Sequence, residues 1–101
     1  MMDKLLPLGT VIKIKASVSL VMVIGYYPVN AEKGKVYRYL VANYPFGVQG
    51  NNSTAMMDET SIEEILFTGY CDSEAEDYYK RTFDWMETNG FREKFEKQEL
   101  L

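Results

Sequence analysis

Histidine is absent from this 101-residue chain, and cysteine occurs once, at Cys71. The first absence removes every Ser-His, Cys-His and histidine general-base arrangement, which leaves carboxylates, Lys, Tyr and Cys as the only proton-moving groups. The second excludes an internal disulfide, and the two together leave no ligand set for a structural zinc ion. No catalytic residue, metal ligand or cofactor is therefore expected. Long apolar runs are missing as well. The longest, Val18 to Ile24, is interrupted by Ser19 and is far shorter than the roughly 20 residues of a membrane-spanning helix. The opening MMDKLLPLG lacks a sustained apolar segment and a small-residue cleavage site. It does not read as a secretory signal, so a cytoplasmic protein without a membrane partner is the expectation.

Basic residues are scarce, with 11 Lys and Arg against 15 Asp and Glu, and the deficit is concentrated in the second part of the chain. Residues 1–60 carry six basic and four acidic side chains, and residues 61–101 carry five and eleven. An acidic C-terminal part disfavours nucleic acid and suits a basic protein partner. What remains is a composition that is 47% hydrophobic and 26% charged, ordinary for one folded domain spanning residues 1–101.

The chain is organised around Leu6 to Tyr26, where two β-patterned runs are joined by very few residues. In Thr10 to Lys15, Ile12 and Ile14 alternate with Lys13 and Lys15, the period of a strand with one wet face. The next run, Val18 to Ile24, has almost no polar side and reads as a central strand covered on both faces. Met1 to Leu5 reads as frayed, and Tyr27 to Lys35, with Pro28, Asn30 and Gly34, as an exposed turn. Val36 to Tyr44 forms a third strand. A long loop follows, punctuated by Pro45, Gly47, Gly50 and the cluster Asn51-Asn52-Ser53, with a short strand near Thr54 to Met57. Ser61 to Tyr70 reads as a closing strand after a one-turn start.

From Asp72 the period changes to that of a helix. Ser73 with Glu76 resembles a capping box, and Ala75, Tyr79, Thr82, Phe83 and Met86 form a stripe. Glu76 and Lys80, and Asp77 and Arg81, form i,i+4 pairs, and Asn89-Gly90 stops the helix. The predicted architecture is α+β: a small twisted antiparallel sheet of about four strands over residues 9–70, packed by an amphipathic helix over about 73–89. A short helix or tail at 91–101 ends the chain. Phe83 and Trp85 are expected to supply much of the buried area between helix and sheet, within a monomer.

Several groups carry chemistry in principle. Glu63 and Glu64, and the cluster Asp72 to Asp77, resemble acid-base or cation sites, but capping and the helix dipole explain the second and no Asp-x-Asp-x-Asp-Gly loop accompanies them. Cys71 near a helix start has a setting that activates thiols, against the plainer reading of a half-buried cysteine. The aromatics Tyr26, Tyr27, Tyr37, Tyr39, Tyr44 and Phe46 suggest a stacking platform for single-stranded nucleic acid, yet Arg38 is the only arginine among the strands. Phe46 differs from the rest, because it lies between Pro45 and Gly47 with little regular structure to bury it. With the adaptable Met56 and Met57 it marks the loop Tyr44, Pro45, Phe46, Gly47, Met56 and Met57 as the candidate partner contact, the competing reading being that these side chains pin the loop to the core.

Four segments in this order, Leu6-Pro-Leu-Gly-Thr-Val11, Leu20-Val-Met-Val-Ile-Gly25, Tyr44-Pro-x-Gly47 and Ile65-Leu-Phe-Thr-Gly-Tyr70 followed by an acidic helix, carry a resemblance. The chain resembles domain-of-unknown-function family 4176, small proteins of Gram-positive bacteria encoded beside LXG toxins of the type VII secretion system. Position 46, commonly acidic in that family, is Phe here, and Met56-Met57-Asp58 replaces its usual polar-aromatic segment. The resemblance implies a non-enzymatic cytoplasmic accessory protein or chaperone that engages a cognate LXG toxin before export. The alternative is an immunity protein that blocks a toxin's active site.

Overall fold

The computed structural model describes residues 4–50 and 53–99, in which β1 (Val11–Ile14), β2 (Leu20–Tyr26), β3 (Val29–Asn30), β4 (Lys35–Val36), β5 (Tyr39–Tyr44), β6 (Thr54–Met57) and β7 (Ile62–Phe67) precede the helices α1 (Ser73–Phe83) and α2 (Phe91–Glu99). Five strands form one antiparallel sheet in the order β6-β5-β2-β1-β7, and β3 and β4 form a separate two-stranded ribbon. The fold class is α+β, as the periodicities imply. The sheet has one strand more than expected, and β2 takes the central place that its apolar run suggests.

The β1–β2 connection carries no Asn-Gly or Asp-Gly signal, because it turns through Ala16 at φ 57°, a conformation that a small side chain tolerates at modest cost. The expected strand from Val36 to Tyr44 is split. Tyr27 donates its backbone N–H to the Arg38 carbonyl and Tyr37 to that of Pro28, while the Arg38 N–H turns to the Asp58 carboxylate at 2.9 Å. Val36 is thereby left with the ribbon and Tyr39–Tyr44 with the sheet. A 3-10 turn at Glu59–Ser61 leads into β7, the one-turn start expected there. Asn51 and Asn52 lie outside the described residues.

One face of the sheet holds the core: Ile12, Val21, Val23, Tyr39, Val41 and Met57 pack under Tyr79, with Ala75 and Phe83 of α1 against them. Leu5 belongs to this core at 1% exposure and is not frayed; Met1 to Asp3 lie outside the described residues. Three tyrosine hydroxyls fasten the segment. Leu6 N–H donates to Tyr39 Oη at 3.1 Å, Leu8 N–H to Tyr79 Oη at 3.2 Å, and Tyr26 Oη donates to the Leu6 carbonyl. Burial, reinforced by Tyr79, pushes the Tyr26 phenol far above its ordinary value, so this clamp stays protonated. Gly69 closes the same corner. A Cβ there would stand 1.9 Å from the Leu8 carbonyl oxygen, so only glycine allows the approach, and its N–H reaches the buried Thr10 hydroxyl at 3.1 Å.

The cap of α1 is Asp72 rather than Ser73: its carboxylate accepts the Ala75 N–H at 2.8 Å. Arg81 pairs with Asp77 as expected, whereas Glu76 pairs with Lys4 of the N-terminal segment. After Phe83 the helix widens into a π-helical turn, Asp84–Thr88. That extra residue per turn rotates Met86 and Glu87 inward and Trp85 outward. Trp85 is 54% exposed and stacks on Phe91 of α2, ring centroids 4.3 Å apart, so it is not the expected anchor against the sheet.

Candidate functional site

Two constellations stand out, and they differ in what they leave available. The first is a charged cluster between sheet, ribbon and the two helices. Glu87 Oε2 accepts from Tyr27 Oη at 3.0 Å, Arg38 Nε at 3.0 Å and Arg92 Nη1 at 3.1 Å. Arg38 also meets Glu59, and Arg92 meets Asp58 at 2.7 Å. Arg92 Nε donates to the Val36 carbonyl at 2.8 Å, and Glu96 accepts the Val36 N–H at 2.7 Å. Helix α2 is therefore docked on the ribbon through both backbone groups of one residue. Burial alone would raise the Glu87 carboxyl, but Arg38, then Arg92 and Tyr27, outweigh it and hold Glu87 below the ordinary carboxylate value. Burial opposes the charge of Arg38 and of Arg92, and the facing carboxylates override it in both, so each guanidinium is held above its usual value. Each of these acids faces a permanent cation, and each arginine has two acids. Such saturation is the mark of a structural tie rather than a proton-transfer site.

The second constellation is the sheet face opposite α1. Cross-strand partners share a face, so the pairs Val11 with Met22 and Phe67, Lys13 with Leu20, Leu20 with Tyr44, Met22 with Ala42 and Leu40 with Met56 place these residues together, away from the core. A register shift between Val11 and Ile12 accommodates Leu66 as a β-bulge, and Leu66 and Phe67 both line the groove that results. This groove, of about 510 Å³, is walled by Gly9, Val11, Leu20, Met22, Tyr44, Leu66 and Phe67. A second lies beside it between Val18, Ser19, Leu20, Asn43, Tyr44 and Phe46. Phe67 is 61% exposed and Phe46 67%, while Leu66 and Tyr44 are half exposed.

The candidate loop residues divide on this geometry. Tyr44 joins the two grooves and Phe46 stands at the outer end of the second. Pro45 and Gly47 form the tight turn between them, closed by a Gly47 N–H bond to the Asn43 carbonyl at 2.7 Å. Met56 lies farther along the same face, with Tyr37 and Leu40. Met57 points the other way and is core at 6% exposure, so it leaves the candidate set. Leu66, Phe67, Leu20, Met22 and Val18 enter it. The two-sided apolar run of β2 announced this surface, and the correction concerns its cover: within this chain α1 covers one face only.

The remaining candidates find plain roles. Cys71 is exposed rather than half-buried. Glu63 pairs with Lys13 at 3.3 Å, and Tyr26 and Tyr39 face the core, which dismantles a stacking platform. Among the described residues no group of three or more Cys, Asp or Glu side chains is arranged to hold a metal ion, and no helix is long and apolar enough to cross a membrane.

A family profile described as Domain of unknown function (DUF4176) matches residues 5–78. The chain belongs to that family. The DUF4176 match runs from Leu5, the first core residue, through the whole sheet to the middle of α1, and so contains every residue of the open face. The π-helical turn and α2, with Glu87 and Arg92, lie beyond it. No curated protein and no solved structure matches the chain.

Proposed function

We propose that this DUF4176 chain is a non-enzymatic accessory protein, or chaperone, that binds a cognate LXG toxin in the cytoplasm and supports its stability or its export by type VII secretion. The observation that carries the reading is the open apolar face built on Leu20, Met22, Tyr44, Leu66 and Phe67 and extended by Phe46. A sheet with two apolar faces is stable in water when both are covered, and α1 covers one. The other is the kind of surface that marks a protein-binding site. The charged groups favour the same reading, since the buried acids and arginines are spent on each other and on the backbone.

The test is a deletion in the producing cell. An accessory protein is required there for the toxin's accumulation or export, and the purified chain captures the toxin before secretion. Rescue of a recipient cell and loss of toxin catalysis in vitro, with export unaffected, would identify an immunity protein instead.

A further inference from the structure

The open face ends at β7, and β7 is an edge: β1 pairs with one of its sides, and in the sheet order nothing follows it on the other. It is six residues long, IEEILF, and exposed from Glu63 onward. An uncovered edge of this length offers unpaired backbone N–H and C=O groups to any extended chain, and natural sheets control which chains can use it. Here the control is electrostatic. Glu63 is held by Lys13, whereas Glu64, the register partner of Lys13, makes no ion pair among the described residues. An antiparallel self-pairing of β7 would set Glu63 and Glu64 opposite each other or opposite Ile65, Leu66 and Phe67, so a second copy is a poor occupant. The other edge, β6, is four residues long and runs into Asp58, whose carboxylate is taken by Arg92 and Lys35.

We propose that β7 is a strand-addition edge. An extended segment of the partner lies antiparallel along Ile62–Phe67, the direction of every pair in this sheet, with an apolar side chain beside Leu66 and Phe67 and with Lys or Arg opposite Glu63 and Glu64. The proposal rests on the reading of the chain as a protein-binding module and names the part of the partner that the edge selects. Backbone hydrogen bonds supply the docking, the groove beside Phe67 takes the apolar side chain, and the two carboxylates choose a basic sequence.

The probe is a synthetic ten-residue peptide whose first half alternates Val and Thr and whose second half alternates Lys and Thr, compared with the same peptide carrying Glu for Lys. Added to the full chain at low salt, the lysine peptide is expected to slow amide hydrogen exchange in β7, and the glutamate peptide to leave it unchanged. The double variant Glu63→Lys, Glu64→Lys is expected to weaken lysine-peptide binding at least tenfold, and Glu63→Gln, Glu64→Gln by a smaller factor, both with unaltered thermal melts. Protection confined to Leu20, Met22 and Tyr44, no binding of the lysine peptide, or equal binding by the charge-reversed variant would each overturn strand addition. Capture of the cellular toxin by wild type and variants separates this outcome from failure of the parent reading. Equal capture by all refutes the edge and keeps the binding module, and capture by none refutes the module.

Discussion

Replacing Glu87 probes how the C-terminal third of the chain is held. Its Oε2 accepts three hydrogen bonds, from Tyr27, Arg38 and Arg92, and its side chain is largely buried. Removing one partner of a fully buried ion pair costs about 3–5 kcal/mol, because the other charge is stranded. Here neither arginine is stranded, since Arg38 keeps Glu59 and Arg92 keeps Asp58. The expected loss is therefore smaller, roughly 2 kcal/mol for Glu87→Gln and roughly 3 kcal/mol for Glu87→Ala, where the volume is lost as well. Against a total of about 5–15 kcal/mol for a domain of this size, that lowers Tm by roughly 10–20 °C. The pH dependence has a definite sign. The folded carboxyl of Glu87 titrates below the unfolded value of about 4.3, so the unfolded chain binds more protons in the interval between them. The stabilisation is complete above the unfolded value and is lost as pH falls through the folded one. Urea melts of wild type and Glu87→Gln at neutral pH and in that acid interval test both points, and their difference should shrink on acidification. A neutral-pH loss below about 0.5 kcal/mol would refute the reasoning, because the cluster would then hold nothing.

Trp85→Ala is expected to cost only about 1 kcal/mol in a denaturant melt, the worth of a half-exposed stacked pair with Phe91. Gly69→Ala should cost about 3 kcal/mol or fail to fold, since its Cβ would collide with the Leu8 carbonyl, and a thermal melt will show it. Met57→Ser should destabilise by roughly 2–5 kcal/mol and Met56→Ser by under about 1 kcal/mol, although the two are neighbours on one strand.

That last contrast indicates what the sequence made legible. Alternation in Thr10 to Lys15 and the unbroken apolar run in β2 located the hairpin and its centre, and the three- and four-residue spacing from Ala75 to Met86 located the helix and its buried stripe. Both signals are local periodicities, which a sequence carries directly. Met56 and Met57 carry no such signal: which of two adjacent methionines faces the core depends on the β5–β6 register, Tyr39 opposite Met57. Trp85 was misplaced because a π-helical turn breaks the 3.6-residue period at Asp84, just before it. The cluster of Arg38, Asp58, Glu87 and Arg92 joins residues up to 54 positions apart, and nothing in any one segment announces it. The open face was half legible. Its two-sided apolar strand was visible, and so was Phe46, but Leu66 and Phe67 reach the same surface only through a bulge in the pairing of β7 with β1.

The claim that matters most is that this face binds the partner, and the most direct measurement is calorimetric titration of the captured toxin with Phe67→Asp and with Phe46→Asp, each variant melted alongside. Both side chains are largely exposed, so the fold should tolerate the charge, with Tm within about 2 °C of wild type. Each variant is expected to bind at least tenfold more weakly, a loss of about 1.4 kcal/mol or more. Full affinity in both, with the melts unchanged, would contradict the account and place the contact off the sheet.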